Sequence, residues 1–451
     1  MTKYLVPLFL CSLIGCNSTK KDDFTYFGGK IIHPKGCHVI LSDNKGFRDT
    51  LTLTKENRFL GKYDNLREGL YVFEHGPEHQ YVYLEPNDSL MFRLNTWDFD
   101  ESLVFSGKNA QRNNLLIEAF LKHEEDEKFL MQSHGLEYDA YERRMDSMLA
   151  VKETIVATYV KEFKDTSKGF LDVLNIALNY PLYSNMESYA TNNCHKKPGD
   201  YFGNEYYDFR DDINIKRDSL VFYGPYYRYV IGKLYNEAYL KGLESGTEGF
   251  VIDLLHNIDE SIQDEVVKNT VLYRTMAYNF TKRRQGEDFT KAFFTFFKLN
   301  SSIEDKKKIQ RLVNDMKLAK NKTKLSSFKI EKPTGDWEDI HKLIGGKKSV
   351  VYFNNRYYSS TESVSARFNY LVKKFPELNF VIVHQDNKAK YFKSIPIKHQ
   401  YKLPKESGAH EFLSSNFPRL ILVDEEGAIE NGFSTMSASD IELQLDKLQK
   451  K

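Results

Sequence analysis

What this 451-residue chain can fold into is limited by its hydrophobic period, which changes twice along the sequence. Residues 25–106 carry short runs rich in β-branched and aromatic residues at 30–33, 38–42, 50–54, 70–75, 80–85 and 89–94. Turn signals separate them: Pro34-Lys35-Gly36, Asp43-Asn44-Lys45-Gly46, His75-Gly76-Pro77 and Pro86-Asn87-Asp88. Strands at such spacing predict a small sandwich or open barrel. At Gly107-Lys108-Asn109-Ala110 the period lengthens, and apolar residues recur at helical intervals to about residue 325. Met145, Met148, Ile155, Tyr159 and Phe163 form one such stripe. Further helices are expected at 113–124, 168–179, 226–240, 248–253, 263–278, 288–298 and 303–319, with a long irregular loop over 180–218.

From residue 326 the pattern changes again. The runs at 350–353 and 380–383 are continuous and apolar, as in strands buried on both faces of a parallel sheet. Between them Val364, Phe368, Leu371, Val372 and Phe375 make a helical stripe. A third buried strand at 420–423 is followed by the turn Asp424-Glu425-Glu426-Gly427 and an edge strand. Ser439-Asp440-Ile441-Glu442 opens a final helix as a capping box. The order β-α-β … β-β-α is that of a thioredoxin fold. The expected class is therefore multidomain α+β: a β-sandwich or barrel-like domain at 25–106, an all-α domain at 107–325 and an α/β thioredoxin-like domain at 326–451.

The first residues point to the cell envelope. Basic Met1-Thr2-Lys3 precedes an apolar run ending in Leu13-Ile14-Gly15-Cys16, too short for the ~20 residues that span a bilayer. It resembles the signal and lipobox of bacterial lipoproteins. That resemblance implies a signal peptide at 1–15, lipidation of Cys16 and a tether at 16–24. The membrane is then a partner through several acyl chains, since one chain binds only marginally. Lys21-Asp22-Asp23 resembles the export signal of Bacteroidota lipoproteins, so an outer-membrane lipoprotein is expected, facing the periplasm or the cell surface.

Together the lipobox, the three-part layout, Phe105-Ser106-Gly107-Lys108-Asn109-Ala110 with Asn113-Asn114, and Phe417-Pro418-Arg419 resemble the TlpA-like thiol-disulfide oxidoreductase lipoproteins of Bacteroidota. The resemblance implies that Pro418 follows a cis bond beside the active-site motif. It also implies a Trp-Cys-x-x-Cys motif whose first Cys lies five residues beyond Phe353. By that count Tyr357 stands at the Trp position, and Tyr358 and Thr361 stand at the two cysteines. No cysteine follows Cys194, so no shift of alignment restores the pair. Disulfide exchange needs a thiolate, and a phenol of pKa near 10 is a poor substitute at neutral pH. Ser359 and Glu362 have capping-box spacing at the helix start where a thiolate would otherwise sit.

Other motifs have plain explanations. Cys37 and Cys194 could pair in an oxidising compartment, but they fall in different expected domains, and two separate thiols are the preferred reading. His75 and His79 have zinc spacing only on a helix, which Gly76-Pro77 forbids, so a solvated hairpin tip is expected. Cys194-His195 reads as loop, and the tyrosines at 226, 227, 229, 235 and 239 read as a packing stripe. Asp49-Thr50, Asp88-Ser89, Asp146-Ser147 and Asp218-Ser219 resemble O-glycosylation acceptors of this bacterial group. Sixty-four basic and 63 acidic residues leave a net charge of +1, which supplies no field for nucleic acid.

No metal, cofactor or catalytic residue is expected. The leading expectation is a non-enzymatic envelope protein binding a peptide or protein through Tyr357, Tyr358, Pro418 and Arg419. The alternative is a diverged member of the oxidoreductase family, or another envelope enzyme with a site of unfamiliar design. Partner identity and oligomeric state stay open.

Overall fold

The structure is a computed structural model describing residues 24–193, 202–211, 213, 215, 218–355, 360–438 and 440–451. The expected signal peptide, Cys16, Cys194-His195, Tyr357, Tyr358, Ser359 and Ser439 lie outside these residues. The architecture is mixed α/β, with helices and three sheets. By compactness the chain divides into two units, residues 1–185 with 222–226 and residues 186–221 with 227–451.

The first unit begins with eight strands: β1 (Phe24–Ile32), β2 (His38–Ser42), β3 (Arg48–Thr52), β4 (Arg58–Asp64), β5 (Gly69–His75), β6 (Glu78–Leu84), β7 (Ser89–Asn95) and β8 (Val104–Lys108). They form two four-stranded sheets, ordered β4-β1-β7-β8 and β3-β2-β5-β6. Alternation along each strand turns Phe27, Ile31, Val39, Leu41, Phe73, Val82, Leu90, Phe92 and Phe105 into one shared core, as in a sandwich. At the β5–β6 tip His75 is not solvated. It is buried, accepts the Lys35 N–H at Nε2 (2.9 Å) and meets the His38 carbonyl through Nδ1 (3.0 Å). Backbone groups left over by the turn give it a use inside.

Helix α1 (Ala110–Ser133) then bonds to β6 and β8, an edge strand of each sheet. Gly107 has φ +102° and lies so close to the Ser89 carbonyl that a Cβ would stand 1.9 Å from that oxygen. Asn113 accepts the Tyr83 N–H at Oδ1 (2.7 Å) and donates from Nδ2 to the Tyr83 carbonyl (2.9 Å). Asn114 treats Phe105 the same way, at 2.8 and 3.0 Å. Each amide stands in for a neighbouring strand. Buried Arg112 pairs with Glu85 and Asp88, so the Asp88-Ser89 copy of the glycosylation motif is a structural element.

Helices α2 (Tyr138–Glu162) and α3 (Lys168–Asn193) follow. The expected loop from residue 180 is instead helix to Asn193, passing through Pro181. An interior proline costs about 3 kcal/mol. Here Ile176, Leu178 and Tyr180 before it and Leu182, Tyr189 and Ala190 after it are all buried, so packing outweighs the lost backbone bond.

The second unit takes in the end of α3, a 3₁₀ turn at Asn204–Arg210, and α4 (Gly224–Leu240) from Tyr227 onward. Helices α5 (Glu248–Ser261), α6 (Glu265–Lys282), α7 (Thr290–Leu299) and α8 (Ile303–Leu318) continue it. Fully buried Glu187 receives Arg210 through two bonds (2.7 and 2.5 Å) and the Asn236 amide (2.7 Å). The remaining elements are β9 (Lys329–Glu331), β10 (Trp337–Asp339), α9 (Ile340–Ile344), β11 (Ser349–Asn354), α10 (Thr361–Lys374), β12 (Asn379–His384), β13 (Gln400–Lys402), β14 (Arg419–Val423), β15 (Ile429–Ser434) and α11 (Ile441–Lys450).

Its sheet is ordered β10-β9-β13-β12-β11-β14-β15, with β11 parallel to β12 and antiparallel to β14. This is the strand and helix order expected from the sequence. One face of the sheet packs Phe368, Leu371, Leu445 and Leu448 of α10 and α11. The other covers Val351, Phe353, Val381 and Ile421 with Leu325, Ile340 and Phe412, so these strands are apolar throughout because both faces are buried. The outer edge of β15 is closed by the chain itself, through Lys322 N–H to the Ile429 carbonyl (2.6 Å) and Ile429 N–H to the Thr323 carbonyl (2.8 Å). No helix among the described residues is long and apolar enough to cross a membrane.

Removing an amide that serves two buried backbone groups leaves both unmet. Asn113→Ala is expected to lower unfolding free energy by about 2–4 kcal/mol, measured as a shift of the urea midpoint at constant m-value.

Candidate functional site

The sequence directs attention to the mouth of the second unit's sheet, where β11 ends and α10 begins. Ser360 caps α10, its Oγ accepting the Ser363 N–H at 3.2 Å. The cap is thus one residue later than the Ser359 expected from sequence, and Thr361 is an exposed first-turn residue. The 360/363 pair supplies the same short hydroxyl-to-amide reach. Asn355 donates to the Asn416 carbonyl (3.0 Å) and Gln385 to the Phe417 carbonyl (3.3 Å), tying the segment before β14 to the ends of β11 and β12.

Two expectations about that segment fail. No peptide bond among the described residues is cis, so Pro418 follows a trans bond. Trans is the intrinsically favoured form of X-Pro by about 0.5–1 kcal/mol, and the expectation of cis came from the family resemblance alone. Arg419 is not on a binding surface but is 1% exposed. Its guanidinium donates to the Asp315 carbonyl (3.3 Å) and to the Phe412 carbonyl, and faces the rings of Phe412 (5.3 Å) and Phe433 (4.9 Å). Alternation along β14 places this side chain on the inner, α8-facing side. Burial lowers its pKa to about 10, with the nearby Asp315 charge opposing the shift, so it stays charged at neutral pH. The Asp315 carboxylate itself holds the backbone N–H and hydroxyl of Ser414 and of Ser415, at 2.5–3.0 Å.

Pro418 does reach an open surface. It lines a cleft of about 780 Å³ with Phe417, Tyr352 of β11, Ser363, Val364 and Arg367 of α10, and the turn Thr435–Ala438. The opposite wall is α6, through Tyr273, Arg274, Ala277, Tyr278, Thr281 and Lys282. That wall was missed by sequence reasoning. Its signal was present: Arg274, Ala277, Tyr278 and Thr281 recur at three- and four-residue spacing, a basic-aromatic stripe on an otherwise ordinary helix. A bond from Thr435 Oγ1 to the Thr281 carbonyl (2.5 Å) holds the two walls together.

A second cleft, of about 540 Å³, shares Arg274 and Tyr278 and continues past Tyr227, Tyr235 and Tyr239. The tyrosine stripe of α4 is therefore split: Tyr226 and Tyr229 are core, while three others face a groove.

The cleft is positively charged. Burial, and then the neighbouring Arg367 charge, hold the Lys282 ammonium below the usual lysine range. Arg367 is engaged by the Met436 carbonyl (3.2 Å) and Glu442 (3.1 Å), and Arg274 lies over the Tyr227 ring at 5.6 Å. Beneath the mouth, buried His384 bonds Asn354 through Nδ1 and Gln400 through Nε2, both at 3.2 Å. The Gln400 oxygen also accepts the Phe392 N–H, so it acts as acceptor and the imidazole hydrogen sits on Nε2. Burial, aided by the Lys402 charge, depresses the imidazole pKa.

Among the described residues no group of three His, Cys, Asp or Glu side chains is placed to hold a metal ion. Cys37 is an exposed free thiol of the β unit.

No family model matches the chain, and no curated protein matches its sequence. Solved structures similar to part of it include the thioredoxin domain of a thiol-disulfide oxidoreductase from Bacteroides vulgatus, at 21% identity over 28% of this chain and 98% of that one, TM-score 0.23. A thiol:disulfide interchange protein from Bacteroides sp. is 19% identical over 29% of this chain and 91% of that one, TM-score 0.23. A thioredoxin-like protein from Bacteroides caccae is 12% identical over 53% of this chain and 89% of that one, TM-score 0.29.

Two outcomes follow from the buried groups. Arg419→Ala should cost about 3–5 kcal/mol in urea unfolding, and Arg419→Lys should recover less than half, because an ammonium cannot reach two divergent carbonyls and two rings. His384 has a folded pKa below its unfolded value near 6.5, so the unfolded chain takes the proton first. Stability should fall as pH drops through about 6.5, and His384→Gln should flatten that decline in denaturant midpoints measured from pH 7.5 to 5.5.

Proposed function

We propose that this chain is a lipid-anchored cell-envelope protein whose C-terminal thioredoxin-like module does no disulfide chemistry and instead holds an extended peptide or protein segment. The observation that carries the reading is the cleft over Pro418, open beside α10 and lined mainly by apolar and aromatic side chains. Its position matches the place where the sequence lacks thiols: residues 195–451 contain no cysteine. A concave, largely apolar site with a few convergent polar groups is the ordinary form of a binding pocket. The bonds through Asn355, Gln385 and Thr435 fix its rim before any partner arrives, which lowers the ordering cost of association.

The anchor is read from Leu13-Ile14-Gly15-Cys16, with the tether following it, and the outer membrane is the proposed location, on its periplasmic or outer side. Tyr357 and Tyr358 precede α10 in the sequence and are proposed as further contacts of the same partner.

Insulin-disulfide reduction by the purified protein, with dithiothreitol as reductant, should proceed no faster than the protein-free control. Measurable turnover overturns the redox-inactive reading. Ser437 is exposed on the cleft rim, so Ser437→Trp should occlude the cleft and abolish the crosslinked partner seen with the unaltered protein in intact envelopes. Unchanged crosslinking would move the binding site elsewhere.

A further inference from the structure

The cleft carries three cations, Arg274, Lys282 and Arg367, and none of its described lining residues is acidic. Arg367 already has Glu442, which also serves Lys374. Among the described residues Arg274 meets the Tyr227 ring and bonds to its phenol, and has no carboxylate partner. Lys282 makes no ion pair with any described carboxylate and lies over the Tyr278 ring at 5.5 Å. Arg367 is thus balanced by Glu442, while Lys282 and Arg274 in the same cleft have no carboxylate partner among the described residues. The first turn of α10, reaching the cleft through Ser363 and Val364, adds the partial positive charge of a helix N-terminus. Glu362 in that turn is exposed and does not line the cleft. Between the cations the floor is apolar: Ala277, Phe417, Pro418 and Met436.

We infer that the cleft takes a carboxylate-bearing segment of an extended peptide, with the acidic side chain between Lys282 and Arg274 and apolar neighbours on the Phe417–Pro418 floor. This rests on the peptide-binding reading above and adds the chemical class of the occupant. An ion pair formed in a concave site with low-dielectric walls is stronger than one formed on open surface. A neutral isostere would leave both cations unmatched, so selection acts through the mismatch as much as through the match. The net charge of +1 means that attraction is local to the cleft and not a property of the whole surface.

Three libraries of end-blocked heptapeptides, random except for a fixed central Asp, Asn or Lys, test this on the full mature chain carrying Cys16→Ser. The Asp library should be retained about tenfold over the Asn library, equivalent to ~1.4 kcal/mol, with the Lys library weakest. Raising NaCl from 0.05 to 0.5 M should shrink that ratio. Lys282→Gln, and independently Arg274→Gln, should bring the Asp-to-Asn ratio towards one while retaining binding of both. Equal retention of all three libraries by the unaltered protein overturns the anionic preference and leaves peptide binding standing. Retention of none overturns both readings. A ratio unchanged in both variants removes these cations from the site.

Discussion

A buried guanidinium, Arg419, and a half-buried one, Arg283, meet about one ring, Phe433, in the second unit. Arg419 lies against one side of Phe433 at 4.9 Å, and Arg283, at the end of α6, approaches it at 6.0 Å and donates to its carbonyl at 3.0 Å. Neither has a carboxylate in direct contact. Burial lowers both to about 10, and their hydrogens go to carbonyls, ring faces and, for Arg283, the Met316 sulfur. A buried charge is costly without such partners, and even here the Arg419 Nε is left without a hydrogen bond, so the arrangement is intolerant of displacement. Through it α6 and α8 are joined to β14 and β15, and the cleft walls inherit that rigidity. A site framed by elements joined this way starts close to its binding geometry.

The first unit uses the same economy with neutral groups. Asn113 and Asn114 each satisfy both backbone groups of a residue, Tyr83 and Phe105, that faces a helix where another strand would ordinarily lie. The Phe105–Asn114 stretch is thus the device by which a sheet hands over to a helix. Such a junction cannot slip by one residue without orphaning four buried polar atoms, which makes it specific as well as stable.

Strand positions, the change at Gly107 and the helices with clear stripes were legible in the sequence because each follows from local periodicity. The misses share a cause. Pro181 reads as a helix breaker, yet it sits inside α3 because residues on both flanks pack. Arg419 reads as a surface charge, yet alternation in β14 turns it inward onto Phe433 and the Asp315 carbonyl. His75 reads as a solvated tip, yet Lys35 and His38 lie beside it. For His75 and Arg419 the deciding partner is distant in sequence, by 40 residues for Lys35 and 104 for Asp315. The cap moved from Ser359 to Ser360 for a smaller reason: successive serines offer equivalent registers, and only the backbone path chooses between them.

By itself the sequence determined the absence of cysteine from the last 257 residues, the three kinds of patterning and the order of strands and helices in the final module, since these are properties of composition and period. Only the tertiary structure brought Arg274 and Lys282 of α6 opposite Arg367 and Pro418, residues that are 85 or more positions away along the chain. No local signal links those positions. Their meeting depends on how α6 packs against the sheet, and that packing is set by Arg283, Phe433 and Arg419, which lie behind the cleft.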